Sequence, residues 1–351
     1  MIATVRSTRP KVPGKALLEA HVAVRGGVPG RVPDGHSSAG TSSDAPTALA
    51  ARLGGTVLAP GLIRIDTRFA LPLQHGRLRL HGLSALARSH LHALGLVQCD
   101  DARSLVFFDT ETNGLAGGAG SIAWMIGAAR LTADDFTVTQ WMLLGYQAER
   151  AMIDAFSSWL GDRATLVSYN GRSFDAPLIA SRCALNRRPD PLASLCHLDL
   201  LPVARRLPAR SAPDRRLSSI ERHWLGVQRT NDLPGSEAPR AWRDWLARGA
   251  TALLPGVLLH NRIDLLSLLA VGIYAGGYLA DLLAEQAYSP APEVHGVYGV
   301  HGAPGASAQS LAAATRHDKG VQSRSGASIA WHRLFASSAK RARDAAPALA
   351  L

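Results

Sequence analysis

The sequence has little lysine, little cysteine and no apolar run long enough to span a membrane comfortably. Lysine occurs only at positions 11, 15, 319 and 340, although Lys and Arg together number 38. Three cysteines without a C-x-x-C spacing argue against a disulfide framework and against a zinc site. The first fourteen residues lack the apolar segment of a signal peptide. The longest apolar stretch, residues 265–280, is too short for a bilayer and predicts a buried core helix. We therefore expect a soluble, cytoplasmic protein with no membrane partner.

The basic side chains that are present are almost all arginine. The chain has 38 basic against 27 acidic residues, a formal net charge of +11. Because the planar guanidinium group suits phosphate contacts, a polyanionic partner is one explanation. The base composition of the coding DNA, together with basic tails, is an equally good one, since net charge alone is a poor guide to partners.

An acidic pair follows an apolar run near position 105. The segment from Leu105 to Phe108 is wholly apolar and rich in β-formers, which predicts a buried central strand. Asp109 and Glu111 come at its end, so the alternation of a strand places both carboxylates on the same side. A solvated loop is the alternative for such acids, and the flanking apolar run disfavours it.

Two more acidic residues occur in separate segments. Asp175 follows Ser173, a candidate N-cap for a helix beginning near Phe174, and a helix N-terminal acid is the alternative interpretation. Asp264 lies four residues after His260, so both share one face of a long helix. A buried carboxylate without a partner is costly, which favours a functional Asp264, whereas a core histidine is the alternative for His260. Hard divalent cations prefer oxygen ligands, so the four carboxylates predict a site for two Mg²⁺ or Mn²⁺ ions that cleaves phosphodiesters.

The segments between these acids predict an α/β fold. Apolar runs at 122–129, 136–144 and 165–169 predict three further strands, and an amphipathic stripe predicts a helix over about 149–160. The resulting order is β-β-β-α-β-α, with carboxylates on strand 1, on the helix after strand 4 and on the last helix. This order predicts a ribonuclease-H-like mixed β-sheet flanked by helices.

The three acidic motifs resemble those of the DEDD superfamily of 3′→5′ exonucleases. The sequences FDTETNGL, YNGRSFDAPL and HNRIDLLSL are most similar to the ribonuclease-H-like domain of the YprB type. The resemblance implies an exonuclease with two metal ions held by Asp109, Glu111, Asp175 and Asp264, and with His260 near the attacking water. One spacing differs from the pattern. The superfamily's histidine branch places its His five residues before the last Asp, and this His has the four-residue spacing of the tyrosine branch.

Other residues are candidates for contact with the 3′ end of DNA or RNA. Asn170 and Phe174 are placed to hold a terminal nucleotide by a hydrogen bond and by stacking, although packing is the commoner role of such a Phe. Phosphate contacts are predicted for four arginines of an Arg-rich insertion at about 202–250, namely Arg205, Arg206, Arg215 and Arg216. An idle solvated surface is the alternative for these arginines.

Composition divides the chain into four parts. Residues 1–50 and 288–351 are rich in small and polar residues, and we expect disordered N- and C-terminal tails. Residues 51–100 predict a small accessory segment, with a strand pair at 57–65 packed on the main domain, and residues 101–287 predict the ribonuclease-H-like domain. Two other functions stay open. One is a nucleic-acid-binding module of this fold with little activity; the other is a haloacid-dehalogenase-type phosphatase, which the lack of Lys between positions 15 and 319 disfavours.

Overall fold

A computed structural model of the chain describes residues 44–99, 101–114, 120–207, 212–230 and 232–288. The tails that were expected to be disordered, residues 1–50 and 288–351, lie almost wholly outside these ranges. Residues 44–50 are an exception and correct that expectation, because they begin a helix. The physical reason is burial: Leu49 and Ala50 are 3% and 2% exposed and belong to the hydrophobic core.

The described residues form eight α-helices and nine strands. The helices are α1 Asp44–Arg52, α2 Arg88–Ala93, α3 Glu149–Leu160, α4 Asp175–Leu185, α5 Leu200–Arg206, α6 Leu217–Ile220, α7 Ala238–Arg248 and α8 Leu254–Tyr288. The strands are β1 Gly55–Ala59, β2 Leu62–Ala70, β3 Leu73–His75, β4 Leu78–Leu80, β5 Leu105–Thr112, β6 Ala123–Leu131, β7 Asp135–Leu143, β8 Thr165–Ser168 and β9 Cys196–Asp199. A π-helical turn, Glu221–Leu225, follows α6 directly.

The central sheet has seven strands in the order β1-β2-β7-β6-β5-β8-β9. Strands β5, β6 and β7 form an antiparallel meander, and β8 and β9 join the other side of β5 in parallel. A meander followed by two parallel strands is the ribonuclease-H-like plan, so the predicted fold class is confirmed. Strand β9 was not predicted, because its four residues, CHLD, carry no clear alternation.

The predicted strand pair near residues 57–65 is part of this same sheet and is not merely packed on it. Strand β2 pairs with β7 along nine residues, from Leu62 opposite Leu143 to Ala70 opposite Asp135. The buried side chains of Ile63 and Ile65 alternate with the half-buried Arg64. Because one face of β2 is buried, its register on β7 is strongly specified.

Helix α8 carries the third motif and passes through the core. By length and composition it is long and apolar enough to cross a membrane, but 61% of its apolar window is buried inside the protein, as in a core helix. Leu265, Leu269 and Val271 are fully buried. Contacts between Cα atoms divide the chain after Tyr278 into two units, and the second is described only as the last residues of α8.

Helix α1 offers a test of the extended domain boundary. We expect Leu49→Ala to lower the free energy of unfolding by about 2–5 kcal/mol, because the side chain lies in the core and its removal leaves a cavity. The matched control is Leu58→Ala on β1, where the side chain is 46% exposed and the change should stay within about 0.5 kcal/mol. Urea denaturation of the full chain measures both. Equal effects of the two substitutions would contradict the packing of α1 in the core.

Candidate active site

The first acidic pair lies in the middle of the sheet. Asp109 and Glu111 stand near the C-terminal end of β5, opposite Gly127 and Met125 of β6. Their side chains share one face of the strand, as the sequence predicts for residues two apart. Glu111 is only 7% exposed, so this is a buried face and not a solvated loop.

Asp175 reaches the same region from the neighbouring strand. It is the first residue of α4, which follows β8, and β8 runs parallel to β5. The Thr110 hydroxyl donates a hydrogen bond to Asp175 Oδ1, which joins the second motif to the first. Ser173 is not the N-cap that was predicted. The helix begins one residue later than expected, with Phe174 at the cap position and no side-chain cap bond.

Asn261 holds α8 over the acidic pair. Its Nδ2 donates to Asp109 Oδ2 at 2.8 Å, and its Oδ1 accepts from Gln140 Nε2 at 2.9 Å. Gly127 makes this approach possible, because a Cβ at that position would stand 1.9 Å from Asn261 Oδ1. Asn261 is fully buried and lies between His260 and Asp264. Sequence reasoning missed it, although it forms part of the third motif.

The carboxylates in this region raise one another's pKa. Burial is the largest cause for Asp109, followed by the charges of Asp264, Asp175 and Glu111, and the pKa rises well above its usual value despite the bond from Asn261. Burial, then Asp264 and Asp175, raises the pKa of Glu111 in the same way. Burial also raises the pKa of Asp175 to about 6. The protein therefore only partly compensates the negative charge that these groups carry when they are ionised.

Part of the compensation comes from Arg229, in the Arg-rich insertion. The Arg229 guanidinium donates through Nη2 to Asp264 Oδ1 and through Nη1 to Asp232 Oδ2, the latter at 3.0 Å. His260 lies in the same network, with Nδ1 2.9 Å from Asp232 Oδ2 and Nε2 3.5 Å from Asp264 Oδ2. Sequence reasoning missed Arg229 and Asp232, since nothing in the motifs marks either of them.

The donor set fits a divalent cation, because four clustered carboxylates supply the oxygen ligands that Mg²⁺ and Mn²⁺ prefer. Within the described ranges, no group of three or more His, Cys, Asp or Glu side chains has the geometry of a metal site. Three of the four carboxylates are engaged by neighbours, since Asn261 binds Asp109, Thr110 binds Asp175 and Arg229 binds Asp264. Metal binding therefore requires some of these bonds to be exchanged.

A cavity of about 790 Å³ opens beside Glu111 and Asp175. Phe174, which is 62% exposed, lies on the side of the second motif, and Ser236 and Arg243 lie on the side of the insertion. Arg243 is exposed, and in the part of the chain that the structure describes it has no hydrogen-bond or ion-pair partner. Its unpaired cation next to the carboxylates suits a phosphate group.

The other residues predicted to contact nucleic acid do not line this cavity. Asn170 has a positive φ of 67°, and its backbone N–H donates to Asp199 Oδ1 at 2.7 Å. Arg215 Nη1 donates to the Ala212 carbonyl at 3.2 Å, and its guanidinium lies over the Trp224 ring, so it has a structural role. The remaining three, Arg205, Arg206 and Arg216, are exposed.

Comparison with known proteins gives a family match for part of the chain. Residues 106–275 match the family described as the RNase_H superfamily. The uncharacterized protein YprB of Bacillus subtilis (strain 168) is 39% identical over 193 residues, which cover 55% of this chain and 45% of that protein. The chain therefore spans less than half the length of this relative.

Two solved structures show a partial likeness. E. coli exonuclease I in complex with a dT13 oligonucleotide is 14% identical, with a TM-score of 0.32 over 51% of this chain and 43% of that chain. The family B DNA polymerase from the hyperthermophilic archaeon Pyrobaculum calidifontis is 16% identical, with a TM-score of 0.37 over 52% of this chain and 24% of that chain.

Proposed function

We propose that the ribonuclease-H-like domain formed by residues 106–275 is a metal-dependent nuclease that removes nucleotides from the 3′ end of DNA or RNA. The observation that carries this proposal is the cluster of Asp109, Glu111, Asp175 and Asp264 beside an open cavity, in which Glu111 is buried and the other three are half-buried. Burying carboxylates that raise one another's pKa is costly, and such clusters are typical of functional sites. The family match favours this function over the haloacid-dehalogenase-type phosphatase.

The carboxylates are proposed to hold two ions, Mg²⁺ or Mn²⁺. Bound at this site, the ions supply a water of lowered pKa and polarise the phosphate that is attacked. Asp109, Glu111, Asp175 and Asp264 would together hold these ions. These residues lie on β5, α4 and α8, rigid elements that fix the ligands relative to one another.

His260 is proposed to accept a proton from the attacking water. Its Nδ1 lies 2.9 Å from Asp232 Oδ2, and a hydrogen donated from Nδ1 to this carboxylate leaves the lone pair of Nε2 free. Nε2 is the nitrogen that faces Asp264. Asp232 is therefore a positioning residue that orients the ring and selects the reactive tautomer.

The cavity is proposed to receive the terminal nucleotide. Phe174 is exposed at its edge and can stack on a base, while Arg243 can pair with a phosphate. The roles predicted for Asn170 and for the arginines at 205, 206, 215 and 216 stay predictions, as does the cytoplasmic location.

The test is degradation of end-labelled DNA and RNA by the full chain in Mg²⁺, Mn²⁺ or EDTA. A 3′→5′ exonuclease releases the label of a 3′-labelled strand at once as a mononucleotide and shortens a 5′-labelled strand stepwise. EDTA should stop both. Binding without degradation would instead support a nucleic-acid-binding module, and equal cleavage in EDTA would exclude metal dependence.

Arg243→Ala should weaken the binding of a single-stranded oligonucleotide. If its side chain contacts one phosphate, the slope of log affinity against log salt should become shallower by about 0.7. Arg163→Ala, another exposed arginine without a partner in the described part of the chain, is the matched control. Replacing Arg205, Arg206, Arg215 and Arg216 together tests the sequence prediction in the same titration. If the slope of log affinity against log salt is the same for Arg243→Ala and for the control, Arg243 does not contact a phosphate of the substrate.

A further inference from the structure

Two side-chain amides connect an arginine of α8 to the acidic pair on β5. Arg262 Nε donates to Gln140 Oε1 at 2.8 Å, and Gln140 Nε2 donates to Asn261 Oδ1 at 2.9 Å. The last bond runs from Asn261 Nδ2 to Asp109 Oδ2, at 2.8 Å. We call these four residues the amide network. It spans α8, β7 and β5, so one series of hydrogen bonds crosses from the long helix to the first acidic motif.

The direction of these bonds is fixed at Gln140. Arginine has only donors, so Arg262 can bond only the oxygen of the Gln140 amide. The Leu258 carbonyl can only accept, and Gln140 Nε2 donates to it at 3.0 Å. A donor on one side and an acceptor on the other leave Gln140 a single amide orientation. Asn261 must then accept through Oδ1, and it presents the hydrogens of Nδ2 to Asp109.

Burial keeps the amide network in this arrangement. Gln140 and Asn261 are both 0% exposed, so water cannot replace a bond that either amide loses. Arg262 is half-buried and forms no ion pair in the part of the chain that the structure describes. Burial lowers its pKa, and no carboxylate acts against that effect. A guanidinium group placed here without a counter-charge calls for an explanation other than ion pairing.

The last bond of the amide network bears on how Asp109 can bind a cation. Asn261 occupies Oδ2, whereas Oδ1 has no hydrogen-bond partner among the described residues. A carboxylate held through one oxygen presents the other in a fixed direction. If the Asn261 amide were turned over, its oxygen would face the carboxylate and repel it. Losing a hydrogen bond that orients a metal ligand typically costs roughly 10- to 100-fold in metal affinity or activity.

We propose that Gln140 and Arg262 are positioning residues of the active site, which act through Asn261 to hold the Asp109 carboxylate in the orientation that binds metal. This inference rests on the metal-dependent function proposed above. Gln140 lies on β7, outside the three acidic motifs. The alternative is that these bonds only fasten α8 to the sheet, in which case their loss lowers stability and does not selectively weaken metal binding.

The test is calorimetric titration of the full chain with Mn²⁺, without nucleic acid, paired with urea denaturation. Gln140→Met is neutral and of similar volume, and it removes every side-chain bond of Gln140, so Mn²⁺ affinity should fall roughly 10- to 100-fold. Gln140→Glu keeps the bond from Arg262 but offers Asn261 no donor, so the Asn261 amide turns over. It should weaken Mn²⁺ binding as well, although an added negative charge by itself would attract the cation.

A double-mutant cycle shows whether Gln140 acts through Asn261. Asn261→Ala and Gln140→Met should each weaken Mn²⁺ binding, and combining them should weaken it no further than Asn261→Ala alone. Arg262→Met should have a smaller effect than Gln140→Met, because the Leu258 carbonyl still orients the amide. Arg262→Lys restores a donor without an acceptor and should recover part of the affinity. These variants of the half-buried Arg262 keep the test open if Asn261→Ala does not fold.

Arg130→Met is the matched control for Arg262→Met. Arg130 is also half-buried, and its Nη2 donates to two neutral oxygens, the carbonyls of Trp159 and Leu160 at the end of α3. Because these bonds lie outside the amide network, the substitution should lower the free energy of unfolding and leave Mn²⁺ affinity unchanged.

The outcomes separate this inference from the function on which it rests. Wild-type Mn²⁺ affinity in the Gln140 and Arg262 variants would overturn the positioning role and leave the metal site intact. Losses that add in the double variant would show that Gln140 does not act through Asn261. Absence of Mn²⁺ binding by the wild type would overturn the metal-dependent function itself.

Discussion

Asp109→Asn is expected to abolish phosphodiester cleavage and at the same time to stabilise the metal-free protein. Loss of a metal ligand removes several kcal/mol of transition-state stabilisation, so cleavage should fall roughly 10³-fold or more. Without metal, the same change removes a carboxyl group whose charged form is disfavoured by burial and by three neighbouring carboxylates. The new amide oxygen can still accept the bond from Asn261, so the free energy of unfolding should rise by on the order of 1–3 kcal/mol.

The metal-free wild type should also become less stable as pH rises from about 4 to about 6. Burial raises the pKa of Asp175 to about 6, above its value in the unfolded chain of about 3.9. Between these pH values the folded chain keeps a proton that the unfolded chain releases, so stability falls as pH rises. The pKa values of Asp109 and Glu111 shift in the same direction and extend the decline. Added Mg²⁺ should therefore raise the melting temperature more at about pH 7.5 than at about pH 5.

Thermal melts in EDTA and in Mg²⁺, paired with cleavage assays, check both expectations. Asp162→Asn is the control, because Asp162 is exposed and has no partner in the described part of the chain. The Asp162→Asn substitution should change neither the cleavage activity nor the pH dependence of stability. An Asp109→Asn protein that still cleaves would contradict the role of Asp109 as a metal ligand. An Asp109→Asn protein that is less stable than the wild type in EDTA at neutral pH would contradict the mutual repulsion of these carboxylates.

His260→Ala is expected to lower kcat by a factor of roughly 10² or more, the usual scale for losing a positioned base. His260 lies beside Asp264 and is hydrogen-bonded to Asp232, so its loss should spare metal binding. Because the four-residue spacing is that of the tyrosine branch, His260→Tyr should recover part of the rate. Steady-state kinetics with saturating metal separates kcat from KM.

His92→Ala, at a histidine outside the site, should keep the wild-type rate. Asp232→Asn should lower kcat as well, since it removes the carboxylate that selects the tautomer. A near-wild-type kcat in His260→Ala, with unchanged Mg²⁺ affinity, would make this residue a packing histidine.

The regular part of the fold was predictable because local pattern and burial agree there. The apolar runs at β5, β6 and β7 lie in the middle of the sheet, and α3 has the predicted bounds, Glu149–Leu160. Residues 106–275 match the RNase_H superfamily, and the three motifs that indicated this resemblance lie within that range. The place of β2 in the sheet was harder to predict, because it depends on pairing with β7, more than sixty residues later in the chain.

The acidic residues of the site could be predicted from the sequence, but Arg229 could not. The strand alternation placed Asp109 and Glu111 together, and helical spacing placed His260 beside Asp264. Residues 201–250 contain ten arginines, and no local pattern marks Arg229 as the one that turns inward. Its position depends on ion pairs with Glu221, Asp232 and Asp264, which form only once the chain has folded and which a one-dimensional pattern does not record.

The central claim is that the buried carboxylates form a divalent-metal site, and anomalous diffraction from crystals grown with Mn²⁺ tests it most directly. We predict a strong anomalous peak about 2.1 Å from carboxylate oxygens of the cluster formed by Asp109, Glu111, Asp175 and Asp264. Crystals with full Mn²⁺ in solution and no anomalous peak among these carboxylates would contradict the account.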